Sequence, residues 1–535
     1  MSGPLVSIRL IPAEVLVEIF SWLSVLAPTN FAAEHMPGYK KLEWLVITHV
    51  CSFWRNLAIN SPSLWTRVDT TMGREWVQAF LTRSKTTSIT FSNFCLPTSA
   101  KDTRITIANE ILPAQLERMQ VLMLRQPLSG PPHPALLRPA PLLEVLTLLG
   151  DFLSLAEGEW ALFQAPRLRH VQVLSCSSFP WKSFHVRNLS SLCLAQKFER
   201  LIDQHRPDPH ELLEALRSTV QLKRLCLEET LPRFDDAHVQ DLDLPMLQVL
   251  RIHGLVSDVV GFLTHLRPSH IELDVSCRGL NPTDESTDAL LRVLATHQTA
   301  FDDKPFQAVC LTTRLSIRSP WAYVHAAREI VGHEWQPPLH YPREYFVEDT
   351  DAARRRGWEL DPRFRGYCDS PLTQSFSLTL NFTRLSDGVK DVVDKATHSL
   401  LLQTAQLLVY DQVVDPARDI LPPETLNRPF TYFPNVRQLR IGHNIFASFI
   451  RALNAQDMPK LEDIYFPDLT PAYWQNVMGS LAKINQFVSD RDKMGRRVRS
   501  LYLKDKGAHV KAWGNVGKGG TRIPPRLAHI VKELA

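Results

Sequence analysis

Residues 141–148 read PLLEVLTL, and the same frame of apolar positions returns along most of the chain. Each copy has an apolar residue, two variable residues, and then two apolar residues separated by one. This final alternation places two side chains on the same face of a short strand. The copies begin at Met119, Leu143, Leu168, Leu189, Leu222, Leu247, Val436, Leu461 and Val498.

Successive copies begin 24, 25, 21, 33 and 25 residues apart in the first block, and 25 and 37 apart in the second. This pattern resembles leucine-rich repeats, whose units span about 20 to 29 residues. The resemblance implies an α/β solenoid, in which a curved parallel sheet carries helices or loops on its convex side. An ordinary α/β domain with repeated βα units shares most of this pattern and is the alternative.

An Asn or Cys commonly follows the last Leu of such repeats by three positions. Cys176 and Asn444 fit this rule, and Asp151 is a tolerable substitute. Other copies depart from it, with Pro127 and Leu469 at the corresponding positions. We therefore expect an irregular solenoid.

Helical periodicity marks the N-terminal region. Residues 11–24, IPAEVLVEIFSWLS, have Pro near the predicted helix start and apolar residues at three- and four-residue spacing. A second apolar stretch begins at Leu42 and continues through Cys51, Trp54 and Ala58. The spacing predicts a small helical bundle, which would bury too little surface to be comfortably stable alone.

These two stretches resemble the F-box, the adaptor-binding module of cullin-RING ubiquitin ligases, in the form common in fungal F-box proteins. The resemblance covers about residues 8–69, although Ile11 replaces the usual Leu and the link between the first two helices is long. It implies that Trp54 and Trp65 pack inside the module. The adaptor-binding residues that it implies are Leu10, Pro12, Glu14, Val15, Leu16, Ile19, Phe20, Val50, Cys51, Trp54 and Leu57. A helical core without a partner is the alternative.

The composition limits the classes of partner and the cellular compartment that are expected. The 535 residues include 60 Lys and Arg and 56 Asp and Glu, a formal charge of +4, which provides no global field for nucleic acid or an anionic membrane. No segment has the length and apolar character of a membrane span, so we expect no membrane partner. Eight cysteines without CxxC spacing indicate reduced thiols, and hence the cytoplasm or nucleus.

Catalytic and cofactor motifs are missing from the sequence. His333, Glu334 and His340 lack the HExxH spacing that would place two imidazoles on one helix face. Phosphate-binding glycine loops and the nucleophile elbow are also absent. We therefore predict a protein that is not an enzyme and has no metal or cofactor.

The sequence predicts five regions. Residues 1–69 form the helical module, 70–280 and 371–510 form repeat blocks, 281–370 form an irregular insertion, and 511–535 form a basic tail. The strand-like stretches RLSIRS and SFSLTLNF near the insertion are expected to extend the sheet.

The residue between the two inward residues of each copy should lie on the open face of the sheet. The predicted row is Met123, Thr147, Gln172, Cys193, Cys226, Arg251, Arg440, Tyr465 and Tyr502. Within it we expect Arg251, Arg440 and Tyr465 to contact a target protein, because Arg and Tyr are enriched at interface anchors. Trp335, Tyr341 and Trp358 in the insertion are the next candidates.

An F-box followed by leucine-rich repeats resembles the substrate-recognition subunit of an SCF-type, cullin-RING ubiquitin ligase. The partners implied are the adaptor, through it the cullin scaffold, and an unknown target protein. The alternative function is a repeat scaffold whose F-box-like helices only cap the first strand of the solenoid.

Overall fold

The chain divides into two compact units. The first comprises Met1–Pro232, Leu244–Leu247 and Arg343–Pro371, and the second comprises Arg233–Asp243, Gln248–Pro342 and Leu372–Ala535. This computed structural model describes residues 11–26, 42, 44–93, 101–125, 138–149, 164–174, 179, 181, 187–195, 206–234, 240–268, 271–280, 285–299, 305–314, 321–328, 375–382, 388–400, 402–412, 433–441, 456–466, 486–503 and 531–533.

The first unit combines N-terminal helices with a parallel sheet. Its described helices are α1 (Ala13–Leu26), α2 (Ile47–Val50), α3 (Ser52–Asn60), α4 (Arg74–Arg83), α5 (Lys101–Gln115) and α6 (Pro209–Arg217). Its described strands are β1 (Arg67–Asp69), β2 (Ile89–Ser92), β3 (Met119–Arg125), β4 (Val145–Leu149), β5 (His170–Leu174), β6 (Ser191–Ala195) and β7 (Arg224–Glu228). Each strand pairs in parallel with the next along the chain, which is a solenoid-like arrangement.

The second unit also carries a sheet. Its described helices are α7 (Val256–His265), α8 (Glu285–Thr299) and α9 (Gly388–Ser399), with a further helical segment at 486–493. Its described strands are β8 (Val249–Leu255), β9 (Glu272–Leu280), β10 (Ala308–Arg314), β11 (Trp321–Ala327), β12 (Ser375–Phe382), β13 (Leu407–Gln412), β14 (Gln438–Ile441), β15 (Asp463–Phe466), β16 (Ser500–Leu503) and β17 (Val531–Glu533).

Strand order in the second unit departs from chain order at one place. The order is β8-β9-β12-β11-β10-β13-β14-β15-β16-β17, and β11 is antiparallel to both of its neighbours. Helix α8 and strands β10 and β11 lie within 281–370, for which the sequence predicted irregular structure. Their backbone groups form the hydrogen bonds of a helix and of the sheet, so these residues have regular secondary structure. The extension of the sheet by the SFSLTLNF stretch, which forms β12, is confirmed.

A short turn begins six of the repeat copies. In each turn, the first apolar residue of the copy donates its backbone N–H to the carbonyl three residues earlier, over 3.0 to 3.3 Å. Five of these turns have Pro at the second position, where its fixed φ matches a type I turn. The donor residues are Leu143, Leu168, Leu222, Leu247, Val436 and Leu461.

Two ladders of apolar side chains build the core of the first unit. Leu122, Leu146, Val171, Leu192 and Leu225 face one another in register. The second ladder, two residues further along each strand, is Leu124, Leu148, Val173, Leu194 and Leu227. All ten side chains are at most 2% exposed, which confirms that the paired apolar residues point inward.

The middle residues of the copies lie in register as predicted, but several of them are not open to solvent. Thr147, Cys193 and Cys226 are 5%, 8% and 2% exposed. Neighbouring strands lie about 4.8 Å apart, so short side chains between two neighbours retain little free surface. The expectation of an open row along these strands of the first unit is therefore wrong.

We predict that Leu146→Ala or Leu250→Ala lowers the free energy of unfolding by about 2 to 5 kcal/mol, because each side chain is fully buried. Urea denaturation followed by circular dichroism measures the change. Val220→Ala is the control, since Val220 is 60% exposed and should change the free energy by less than about 0.5 kcal/mol. A loss below about 1 kcal/mol at Leu146 or Leu250 would contradict the ladder assignment.

Buried His297 on α8 predicts a pH dependence of stability. Its Nε2 lies 3.0 Å from the Leu263 carbonyl oxygen, and its Nδ1 has no hydrogen-bond partner among the described residues. Burial lowers the pKa of His297, and the hydrogen bond with Leu263 opposes this only in part. Below pH about 6.5 the unfolded chain binds a proton at this histidine that the folded chain does not. The free energy of unfolding therefore decreases as the pH falls from about 6.5 toward the lowered pKa of the folded state.

The variant His297→Gln has no such titration. We expect the free energy of unfolding of wild type minus that of the variant to be smaller at pH 5 than at pH 7.5. A difference that does not change with pH, measured by urea denaturation, would contradict burial of the neutral imidazole.

Candidate functional site

Helix α1 has apolar side chains on two faces. Pro12 precedes the helix, and its carbonyl accepts a hydrogen bond from the Leu16 backbone N–H at 3.1 Å. Leu16 and Phe20, one turn apart, are 1% and 0% exposed and form the inner face. The outer face carries Val15, Ile19, Trp22 and Leu23, which are 39% to 58% exposed.

Helix α3 is fixed against α1 and α2. The Cys51 Sγ caps its N-terminus by accepting a hydrogen bond from the Trp54 backbone N–H. The Arg55 Nε donates to the Thr48 carbonyl at 2.8 Å and thereby joins α3 to α2. Trp54 packs its ring against Phe20 with centroids 5.0 Å apart. These contacts hold three short helices in one module.

An aromatic cluster packs the module of α1, α2 and α3 against α4. Trp65 is fully buried, and its indole N–H donates to the Ala58 carbonyl at 2.8 Å. Its ring centroid lies 5.3 Å from that of Trp44 and 4.9 Å from that of Phe80 on α4. The Arg83 guanidinium, also on α4, lies 4.2 Å above the Trp65 ring. Edge-to-face aromatic pairs and cation–π contacts both favour this arrangement.

Large exposed apolar side chains concentrate in this module. Seven of the eleven found among the described residues lie between positions 15 and 53, and we call these seven the apolar surface. They are Val15, Ile19, Trp22, Leu23, Val46, Val50 and Phe53. Exposed apolar side chains concentrated in this way mark interaction sites more often than scattered ones do.

The predicted adaptor-binding residues divide by exposure. Pro12, Glu14, Val15, Ile19, Val50 and Cys51 are exposed, and Trp54 and Leu57 are half-buried. Leu16 and Phe20 belong to the core, so they cannot contact an adaptor in this conformation, and this corrects their predicted role. Leu10 lies outside the described residues. Trp65 packs inside the module, as expected.

Four members of the apolar surface were missed by the sequence reasoning, namely Trp22, Leu23, Val46 and Phe53. Trp22 and Leu23 follow Val15 by seven and eight residues, which is the spacing of one helix face. Leu23 also follows Leu16 by seven residues, so this spacing alone does not separate the outer face from the inner face of Leu16 and Phe20.

The three predicted target-binding residues lie in the second unit. Arg251 on β8 and Asp274 on β9 are register partners, and the Arg251 Nε lies 3.3 Å from an Asp274 carboxylate oxygen. Arg440 on β14 faces Tyr465 on β15, with the guanidinium carbon 5.2 Å from the ring centroid. All three are half-buried. Trp335, Tyr341 and Trp358 lie outside the described residues.

The described ranges also bear on two other kinds of site, a metal centre and a membrane span. There, His, Cys, Asp and Glu residues do not gather in any group of three or more that could hold a metal ion. The helices of these ranges do not combine the length and apolar character needed to cross a bilayer.

Comparison with known proteins identifies one domain. A protein-family model described as F-box-like matches residues 8–71. Searches of curated proteins and of solved structures found no match. The chain therefore carries an F-box-like domain, at the position where the sequence predicted it, while the assignment of the repeats to the leucine-rich family stays a prediction.

Proposed function

We propose that the chain is the substrate-recognition subunit of an SCF-type, cullin-RING E3 ubiquitin ligase. The observation that carries this proposal is an F-box-like domain with seven large apolar side chains exposed on it. A folded domain keeps such a surface at a cost in solubility, and a protein partner that covers it explains its presence.

The proposed adaptor contact is made by apolar helix residues that enter a groove on the adaptor. Val15, Ile19 and Trp22 project from the outer face of α1, while the inner face holds the module together. The bound adaptor would connect the chain to the cullin scaffold. We propose the cytoplasm or nucleus as the compartment, and a module of the form common in fungal F-box proteins.

The proposed mechanism is proximity. The sheet units, which we assign to leucine-rich repeats, would hold a target protein while the F-box-like domain holds the ligase core. Tethering raises the effective concentration of the target near the ubiquitin-conjugating enzyme. The chain itself would be non-catalytic, and transfer of ubiquitin would take place on other subunits.

A repeat scaffold with helices that cap its first strand is the second candidate. The burial of Leu64, Trp65 and Val68, all at most 3% exposed, favours it because these residues join the helical module to β1. Capping requires only this inner surface. Capping does not explain why the exposed residues Ile19 and Trp22 are apolar, whereas adaptor binding explains it.

We predict that Ile19→Asp with Trp22→Asp weakens adaptor binding at least about 100-fold, because two charges would be desolvated in an apolar interface. Both residues are more than 40% exposed, so the variant should fold, as circular dichroism can verify. A pull-down with purified adaptor measures binding. Leu16→Asp is unsuitable, since it would place a charge in the core.

The control for this experiment is Val220→Asp with Met246→Asp, two exposed apolar residues outside the F-box-like domain. It should bind the adaptor like wild type. Retained binding by the folded Ile19 and Trp22 variant would reject the proposed adaptor surface.

A second prediction concerns the target. The test variant is Arg251→Gln with Arg440→Gln. Glutamine is chosen because a glutamate at position 251 would place its carboxylate against that of Asp274. We expect this variant to lose specific co-purifying proteins and to keep the adaptor. Affinity purification and mass spectrometry, with proteasome and deubiquitinase inhibitors, would compare it with intact chain and with chain lacking residues 1–69.

The matched control is Arg67→Gln with Arg497→Gln, which removes two exposed charges elsewhere. An unchanged set of partners for the Arg251 and Arg440 variant would exclude these residues from the target contact.

A further inference from the structure

The turns before β5, β6 and β7 carry a group of cations, which we call the basic edge. It consists of Arg167, Arg169, Arg187, Lys223 and Arg224. The first four are exposed and Arg224 is half-buried. None of the five makes a side-chain hydrogen bond or ion pair within the part of the chain that the structure describes.

Backbone hydrogen bonds set the spacing of these cations. The Ser190 N–H donates to the Arg169 carbonyl at 2.8 Å, and the Lys223 N–H donates to the Ser190 carbonyl at 2.9 Å. Arg169, Ser190 and Lys223 therefore occupy equivalent positions in three successive turns. Since neighbouring strands lie about 4.8 Å apart, the backbones of Arg169 and Lys223 are about 10 Å apart.

The equivalent edge of the second unit is built differently. There Arg437, Glu462 and Arg499 occupy successive turns, as their backbone hydrogen bonds show. The carboxylate of Glu462 lies 3.9 Å from Arg437 and 3.7 Å from Arg499, and Arg499 also contacts Asp463 at 2.6 Å. Glu144 occupies the turn position next to Arg169 in the first unit, but its carboxylate accepts a hydrogen bond from Gln120 and forms no ion pair with Arg169. Among the described residues, the cations at this fold position are thus ion-paired in the second unit, whereas Arg169 and Lys223 in the first are not.

We propose that the basic edge binds an acidic segment of a partner protein, whose carboxylates or phosphates would neutralise these cations. The partner class follows from charge complementarity, which selects partners and speeds encounter. An extended peptide places alternate side chains about 6.6 Å apart, so two or three acidic residues span the distance from Arg169 to Lys223.

A protein partner suits this edge better than nucleic acid. The large exposed apolar residues described near these turns are Val220 and Met246, and neither provides an aromatic stacking platform. The chain's charge of +4 over 535 residues gives no long-range attraction for a polyanion. The inference rests on the proposed function in one respect, namely that the acidic segment belongs to a target of the ligase.

Fluorescence anisotropy with the full-length chain, without adaptor, tests this proposal. The probes are a labelled Gly-Ser peptide with six glutamates, the same peptide with six phosphoserines, and a labelled single-stranded oligonucleotide. We expect at least one acidic peptide to bind, and Arg169→Glu with Lys223→Glu to weaken binding at least about tenfold. The two peptides distinguish carboxylate from phosphate recognition.

The matched control is Arg67→Glu with Arg497→Glu, which changes the net charge equally at exposed positions elsewhere. It should weaken binding less than about twofold. If circular dichroism shows that the charge reversal unfolds the chain, Arg169→Gln with Lys223→Gln replaces it.

Three results would overturn the proposal. The first is that neither acidic peptide binds, and the second is that the control variant loses as much peptide affinity as the Arg169 and Lys223 variant. The third is that the oligonucleotide binds more tightly than the peptides and that charge reversal at Arg169 and Lys223 abolishes this binding. Adaptor binding is measured separately through residues 8–71. A failed peptide assay therefore leaves the ligase proposal intact, and a failed adaptor assay leaves the basic edge intact.

Discussion

The packing of Trp65 is the interaction on which the attachment of the N-terminal helices to α4 and β1 depends. Its indole ring makes T-shaped contacts with Trp44 and Phe80, has the Arg83 guanidinium over its face, and donates its N–H to the Ala58 carbonyl. Three short helices bury too little surface for independent stability, and this cluster lets them share a core with α4 and β1. The outer face of α1 is thereby held in a fixed orientation on the first unit and left exposed.

The elements that sequence predicted well are those set by local chemistry. The Pro-containing turns and the paired apolar residues of each copy determine strand start and inward face within about eight residues, and Pro141 through Leu148 illustrate both. The place of β10, β11 and β12 was not predictable in this way, because their order follows from pairing between distant strands. Buried Arg491 was missed as well, since it donates to the Arg496 carbonyl and to four carbonyls at least 30 residues earlier in the chain, those of Asp457, Met458, Pro459 and Leu461.

The candidate site was predicted in outline and corrected in detail. Helix α1 is apolar on two faces, and the resemblance to the F-box does not say which face packs inward. Phe20 turns out to contact Trp54 in the core, whereas Trp22 lies outside. Exposure depends on which neighbours the fold supplies, and this information is spread over residues 44–80. Thr147 and Cys226 are covered although their register was correct, because each lies between neighbouring strands of the sheet.

Charge is distributed unequally between the turn edges of the two units. Ion pairs at partly exposed sites contribute little to stability. The ion pairs around Glu462, and the lack of an ion pair at Arg169 within the described ranges, therefore have small energetic consequences for folding. In our proposal their consequence for binding is larger, because cations that form no ion pair among the described residues are available to an acidic protein. Recognition in this chain would then draw on an apolar surface for the ligase core and on polar and charged sheet edges for targets.

Hydrogen exchange of the full-length chain, measured by mass spectrometry with and without purified adaptor, tests the central claim most directly. If the apolar surface is the adaptor site, exchange should slow in α1 and in residues 44–60, and should stay unchanged in β4 to β7. Slower exchange confined to the sheet strands, or no change within residues 11–60 at saturating adaptor, would contradict the account.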